Sequence, residues 1–222
     1  MLRLDGRLRH SLLPLLASGL AALLVGSCRA EWTLEVSTGS AVSLFTTLRI
    51  HQDAFPDIIL NGKCTTRPFE EVPYYDVRIG ADMGRARWEL ELVHHKLYLE
   101  NRPEEVQRFE ITHGFNLITA NRRWSVYGFG LRAGAGIVLA HPQTTIRGRA
   151  FPENGGAFGL GWYVSGGALQ VALEQRIRLN SRFDAGLEGK FTAAAARAPI
   201  AQGYVDVANL ALHGLAGLRY HF

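Results

Sequence analysis

The chain has 222 residues, enough for one ordinary domain, with 47% hydrophobic residues, mean hydropathy +0.01 and a formal net charge of +4. Its 24 glycines and 2 methionines favour strands over helices. Four of the 24 basic residues and one of the 20 acidic ones fall within residues 1–30, so the remainder carries only +1, which excludes a nucleic-acid-binding surface.

The first thirty residues read as a secretory signal peptide. Arg3, Arg7 and Arg9 precede an apolar run from Leu12 to Val25 that only Pro14, Ser18 and Gly19 interrupt. That run is shorter than the roughly 20 residues a membrane-spanning helix needs. Two cuts fit: after Ala30 with Cys28 at −3, or before Cys28, since Val25-Gly26-Ser27-Cys28 resembles a lipobox. The first is favoured because Trp32 already begins strand alternation and leaves almost no tether. Cys64 is then the sole cysteine, which excludes an internal disulfide and a cysteine-based metal site.

From residue 31 onward the apolar residues recur at period two in segments divided by turn residues, predicting strands over 31–50, 73–81, 87–99, 108–119, 124–139, 162–179, 183–195 and 208–222. The first is longer than the 9–11 residues that cross a bilayer as a tilted strand, so it projects beyond the membrane or bends at Gly39. In the third, Trp88, Leu90 and Leu92 set a phase that puts His94 on the apolar face; in the fourth, Phe109 and Ile111 do the same for His113. In the fifth, Tyr127, Phe129, Leu131, Ala133, Ala135, Ile137 and Leu139 oppose Gly128, Gly130, Arg132, Gly134 and Gly136, with Trp124 an exception on the polar phase. In the sixth, Leu169, Val171, Leu173, Ile177 and Leu179 oppose Gln170, Glu174, Arg176 and Arg178. The last sets Leu210, Leu212, Ala216, Leu218, Tyr220 and Phe222 against Asn209, His213, Gly217, Arg219 and His221.

Connections alternate in length. Segments 82–85, 120–123 and 180–182 predict tight turns, whereas 51–72, 100–107, 141–161 and 196–207 predict longer loops. Aromatic residues gather at both ends: Trp32, Trp88, Trp124, Phe183, Tyr220 and Phe222 at the short-turn end, and Tyr75, Phe109 and Tyr163 at the other.

In this layout, and in the closing Leu218-Arg219-Tyr220-His221-Phe222, the chain resembles the small eight-stranded bacterial outer-membrane barrels typified by the OmpA transmembrane domain and OmpX, and more distantly the barrel enzymes that modify lipid A. The resemblance implies an all-β, antiparallel up-and-down transmembrane barrel of about eight strands over residues 31–222. It also implies export to the outer membrane, insertion through recognition of Tyr220 and Phe222, a monomer, and contact with outer-membrane lipids and lipopolysaccharide. A soluble sandwich or lipocalin-like barrel shares the alternation with its faces reversed.

With the apolar face outward, a narrow lumen would hold Glu35, Asp76, Arg78, Glu89, Glu91, Glu110, Asn116, Arg132, Gln170, Glu174, Arg176, Glu188, Lys190, His213 and Arg219. So many paired charges predict a polar plug. They speak against a continuous pore and against an interior hydrocarbon pocket. The glycines around Arg132 would leave room for its guanidinium and the neighbouring carboxylates. The function expected is structural or surface-interacting, with Arg147 and Arg149 of the 141–161 loop as candidates to meet lipopolysaccharide phosphates.

His94 and His113 are candidates for chemistry on the outer wall, since pairing across residues 100–107 would bring them near each other. Outer-membrane lipid A deacylases are similar in carrying a His/Ser/Glu set there, which makes an acyl hydrolase the alternative function. Here His113 is followed by Gly114-Phe115-Asn116, without the serine two residues on, and Ser165 lies on a distant strand. No cofactor and no metal site are expected. His94 and His95 face opposite sides of one strand, which opposes joint chelation.

Overall fold

The computed structural model describes residues 31–83 and 86–222; the expected signal peptide and Cys28 lie outside the described residues. Among the described residues thirteen strands form one antiparallel sheet: β1 (Trp32–Ser43), β2 (Thr46–Gln52), β3 (Ile58–Gly62), β4 (Cys64–Thr65), β5 (Tyr75–Met83), β6 (Ala86–Leu99), β7 (Val106–Val126), β8 (Phe129–Ala140), β9 (Gln143–Ile146), β10 (Arg149–Ala150), β11 (Tyr163–Arg178), β12 (Phe183–Ile200) and β13 (Gly203–His221). Eight of them close a ring in the order β1-β5-β6-β7-β8-β11-β12-β13, and β13 returns to β1 with Thr33 opposite His221. Closure pairs the first strand with the last and leaves the ring no free edge.

Alternation decides what each face carries. Outward positions include Leu34 and Val36 on β1, Leu131 and Ile137 on β8, Leu169, Val171, Leu173 and Ile177 on β11, Leu187 on β12, and Leu212 and Leu218 on β13, all exposed. On β12 and β13 this outward apolar series stops at Arg197, which is bonded to Asp206 across the pair. Strands of 16–21 residues therefore carry the wall well past the apolar belt. A 19-residue strand spans roughly 60 Å along its own axis at about 3.3 Å per residue, twice the ~30 Å of a hydrocarbon core.

The taller part explains where the chain departs from the sequence reading. The segment predicted over 31–50 is one strand along β13 with an interruption at Leu44–Phe45, not a bend at Gly39. The register against β13 shifts there by one residue, so Leu48, Ile50 and Gln52 turn inward. The loop predicted over 51–72 contains the turn of the β2–β3 hairpin, β3, and β4, which fills the wall between β1 and β6 above the end of β5. The loop predicted over 141–161 contains the β9–β10 hairpin, paired to the upper part of β7. The expected loop over 196–207 is a two-residue turn, Ala201–Gln202, with Pro199 accommodated opposite Tyr204.

The turn predicted at 120–123 is continuous strand. β7 runs on to Val126, and the reversal falls at Tyr127–Gly128, both with positive φ (49° and 84°), the geometry of a tight hairpin turn. Trp124 is then opposite Leu131 on the outward face, so it joins the other aromatics of that end and is no exception. Phe109 is the converse correction. The alternation predicts it at the outer rim, and it is fully buried inside, as is Ile111.

The interior is filled in two storeys. Near the short turns it is ionic. Above, where β2, β4 and β9 extend the wall, Leu48, Ile50, Leu97, Phe109, Ile111, Phe115, Leu117, Val138, Ile146, Val205 and Val207 pack into one apolar core. The alternation alone predicts no apolar lumen, because unbroken phase over 31–50 turns Leu48 and Ile50 outward, the phase of 108–119 does the same for Phe109 and Ile111, and Ile146 falls in an expected loop. Phe115→Ala is expected to remove about 3–5 kcal/mol of stability. Urea unfolding of the refolded chain in detergent micelles checks this; an unchanged midpoint would place Phe115 outside the core.

Candidate functional site

The lower storey is built from inward residues of all eight ring strands. Arg78 on β5 and Arg132 on β8 are its two hubs, both almost fully buried. Arg78 donates to Glu35 at 3.1 Å, Glu188 at 3.2 Å, Asp76 at 3.4 Å and Glu91. Arg132 spreads its guanidinium over three carboxylates: Nε to Glu89, Nη1 to Glu188 at 2.6 Å and Nη2 to Glu174 at 2.8 Å. Lys190 bridges Asp76 and Glu91. Arg219 donates to Glu35 at 3.1 Å, and Arg176 joins Glu35 and Glu174 at 2.6 Å each. Bidentate forks and shared carboxylates of this kind are what make buried charge tolerable.

Three further residues belong to this storey that the sequence reading did not place there: Arg87, bonded to Glu89 at 3.0 Å; Asn121, bonded to Glu91 at 2.7 Å; and Arg123, bonded to Glu174. Arg87 shares the parity of Glu89 and Glu91 and was legible. Asn121 and Arg123 were hidden by the misplaced turn. The glycines of β8 do make room: a Cβ at Gly130 would lie 2.5 Å from Glu174, and one at Gly134 would lie 1.7 Å from the Asn121 amide oxygen.

Two expected lumen residues are elsewhere. Glu110 stands opposite Tyr98 on the outward phase and pairs with Arg108 at 3.0 Å. Asn116 is also outward and takes the Nδ1–H of His94 at 2.8 Å. Both follow from the inward phase of Phe109, Ile111, Phe115 and Leu117. His213 is in the lumen but outside the ionic net. The hydroxyls of Tyr74 and Thr192 bracket its ring at 2.6 and 2.8 Å, and His95 packs edge-on at 5.3 Å between centroids. This polar, uncharged layer separates the salt network from the apolar core.

His94 and His113 do not form one site. His94 is buried and stacked on Tyr75, with 4.7 Å between centroids and 6° between planes. Against β6, β7 carries extra residues at Thr112–Gly114, where Gly114 has φ +127°, and this irregularity turns His113 outward. There it meets Gln143 at 3.3 Å and packs edge-on against His141, 4.8 Å between centroids. Ser165 sits at an irregularity of β11 and donates to its own strand at Tyr163 O, 3.0 Å away. Among the described residues no serine hydroxyl is hydrogen-bonded to a histidine.

At the loop end, Arg147 and Arg149 both lie over the ring of Phe55, at 4.8 and 5.1 Å, and Arg147 also donates to Pro56 O at 2.9 Å. Nearby, Arg67 holds Glu100 at 3.0 Å. The hydrogen bond from Thr65, followed by that from Arg67, lowers the Glu100 carboxyl below its ordinary pKa.

No family model matches the chain, and no curated protein matches it. Solved structures similar to it are small outer-membrane β-barrel proteins. Neisserial surface protein A aligns at a TM-score of 0.43 with 11% identity, covering 86% of this chain and 97% of that one. The attachment invasion locus protein Ail of Yersinia pestis aligns at 0.43 with 9% identity over 88% and 100%. The outer membrane protease OmpT of Escherichia coli aligns at 0.43 with 10% identity over 89% and 99%. The antiparallel eight-strand ring described above stands on the strand pairing alone.

Arg132→Met would leave Glu89, Glu174 and Glu188 short of a shared counter-ion inside the ring. It is expected to cost about 3–5 kcal/mol. Arg197→Met, which breaks an exposed pair, should leave the urea midpoint nearly unchanged. Equal midpoints for the two variants would contradict the network.

Proposed function

We propose that the chain is a monomeric outer-membrane barrel that spans the bilayer with its apolar belt, conducts nothing, and serves a structural or surface-interacting role. The observation that carries this is the doubly filled interior. A salt network at one end and a packed apolar core at the other leave no route for ions, so what the molecule offers to partners is its outer surface. Support for the membrane comes from the belt of exposed leucine, valine and isoleucine side chains. Trp32, Trp88, Trp124, Phe183 and Phe222 are exposed at its short-turn end. A soluble barrel with the same alternation would put these side chains inside.

On this reading residues 1–30 are the export signal, removed after Ala30, and Tyr220 and Phe222 present the insertion signal. The short turns face the periplasm and the tall end faces outward. Arg147 and Arg149 then stand on the exposed side, where they would engage lipopolysaccharide phosphates alongside their contact with Phe55.

Two measurements test this reading. Purified protein in planar bilayers should give no stepwise conductance, and fractionation should recover it with the outer membrane; steady ion channels would remove the plugged-barrel reading. Replacing Arg147 and Arg149 by glutamine should weaken binding to purified lipopolysaccharide severalfold. Undiminished binding would take these two residues out of the surface role.

A further inference from the structure

Between β4 and β5 the chain takes a detour. Thr65 stands opposite Tyr98 and Tyr75 opposite His94, so ten steps of chain cover what four steps of β6 cover. The surplus, residues 67–73, leaves the wall as a strap. Arg67 lies over the Tyr98 ring at 4.4 Å, and the Glu70 carbonyl accepts from Lys96 Nζ. These contacts lay the strap on the outer face of β6, because His95 and Leu97 on either side of Lys96 point into the lumen. Little apolar burial holds it there, since Phe69 is 78% exposed. Arg67 and Glu71 both have positive φ (44° and 54°), a conformation that costs non-glycine residues energy and that clusters at clamps and switch segments.

What the strap covers is polar and short of partners. Tyr98 is only 4% exposed, and its hydroxyl has no hydrogen-bond partner among the described residues. Lys96 is fully buried; its ammonium carries three donors, and the Glu70 carbonyl accepts one of them. The ammonium lies 5.9 Å from the centre of the Tyr98 ring. Among the described residues no carboxylate forms an ion pair with it, and the negative charges that act on it are those of Glu71 and Glu70, on the strap itself. A buried cation and a buried hydroxyl so placed are costly unless an acceptor is brought to them.

Along β6, Lys96 and Tyr98 stand eight and ten residues beyond Trp88. At about 3.3 Å per residue and a tilt of roughly 40°, that is roughly 20–25 Å above the short-turn aromatics, the far edge of a membrane barrel's apolar belt. We propose that Lys96 and Tyr98 bind a phosphate group on the outer wall, and that the strap is an autoinhibitory cover whose Glu70 carbonyl and Glu71 charge stand in for it. With the strap lifted, the ammonium and the phenol donate to phosphate oxygens. The latch is Arg67 on Glu100 at 3.0 Å, with Thr65 Oγ1 on the same carboxylate at 2.6 Å. Only the source of the phosphate rests on the membrane reading: a lipid headgroup if this wall stands in a bilayer, the free anion otherwise.

The test is calorimetric titration of the refolded, full barrel in maltoside micelles with inorganic phosphate and, separately, with dihexanoyl phosphatidic acid. One saturable equivalent is expected. Tighter binding of the lipid identifies a headgroup site, and equal or tighter binding of inorganic phosphate identifies a site for the free anion. Tyr98→Phe removes a hydroxyl that bonds to nothing under the strap, so it should keep the fold and weaken binding at least fivefold. Lys96→Gln, in protein that still migrates as a folded barrel, should weaken it at least tenfold. Glu71→Gln, an exposed change on the strap, should tighten binding severalfold, which a merely structural strap would not do. Replacing Arg147 and Arg149 by glutamine should leave both titrations unchanged, which separates this site from the loop-end role. Absence of saturable binding of either probe, or an unchanged affinity in Tyr98→Phe, would overturn the proposal.

Discussion

All eight ring strands contribute charged side chains to the network around Arg78 and Arg132, and the rest of the lower barrel is arranged so that those two guanidiniums never lack a carboxylate. Glu35, Glu89, Glu91, Glu174 and Glu188 come from four different strands, so the network ties the ring together across its lumen as well as around it. A closed ring satisfies its backbone hydrogen bonds wherever the strands pair, but it says nothing about what fills the centre. The contents must be compact and fully partnered, because a buried charge with no counter-ion is worse than no charge. That requirement explains two of the glycines of β8. Gly130 and Gly134 are small because Glu174 and Asn121 lie where their side chains would be, whereas a Cβ at Gly136 would meet the backbone carbonyl of Ile118.

Above that network the same ring changes its filling. Tyr74, His95, Thr192 and His213 form a neutral hydrogen-bonded floor, and beyond it the interior is like that of a soluble protein. The extra strands make this possible. The β2–β3 hairpin, β4 and the β9–β10 hairpin add wall above the belt, and Leu48, Ile50 and Ile146 bring apolar volume with them. The outward face reverses in parallel: aliphatic side chains below, the Arg197–Asp206 pair and other polar residues above. Inside and outside thus trade character at about the same height. A wall that leaves hydrocarbon and enters water has this pattern, since an apolar outer surface gains nothing once lipid is gone.

Irregularities of pairing are concentrated in the tall part. The interruption at Leu44–Phe45, the extra residues at Thr112–Gly114 and the shift at Val164–Gly166 each rotate side chains against the simple alternation. The second of these turns His113 outward, against the phase of its strand, and so creates the histidine pair with His141. Side chains turned by bulges are the ones periodicity cannot foresee, because a bulge is a local exception to the rule that periodicity applies.

The sequence by itself determined the fold class, the eight ring strands and most of the ionic lumen: a period of two needs no tertiary information, and charged residues in phase with one another share a face wherever the strand lies. Glu89, Glu91, Arg132, Glu174, Arg176, Glu188, Lys190 and Arg219 were legible for that reason. Only the tertiary structure decided which end of each strand meets which filling. Phe109 and Ile111 read as lipid-facing because apolar residues look alike whether they face hydrocarbon or a core. Glu110 and Asn116 were carried inward by the same ambiguity. The turn at Tyr127–Gly128 escaped because Gly128 and Gly130 also fit the alternation of a strand. Height along the barrel is a property of the closed ring, and no single segment encodes it.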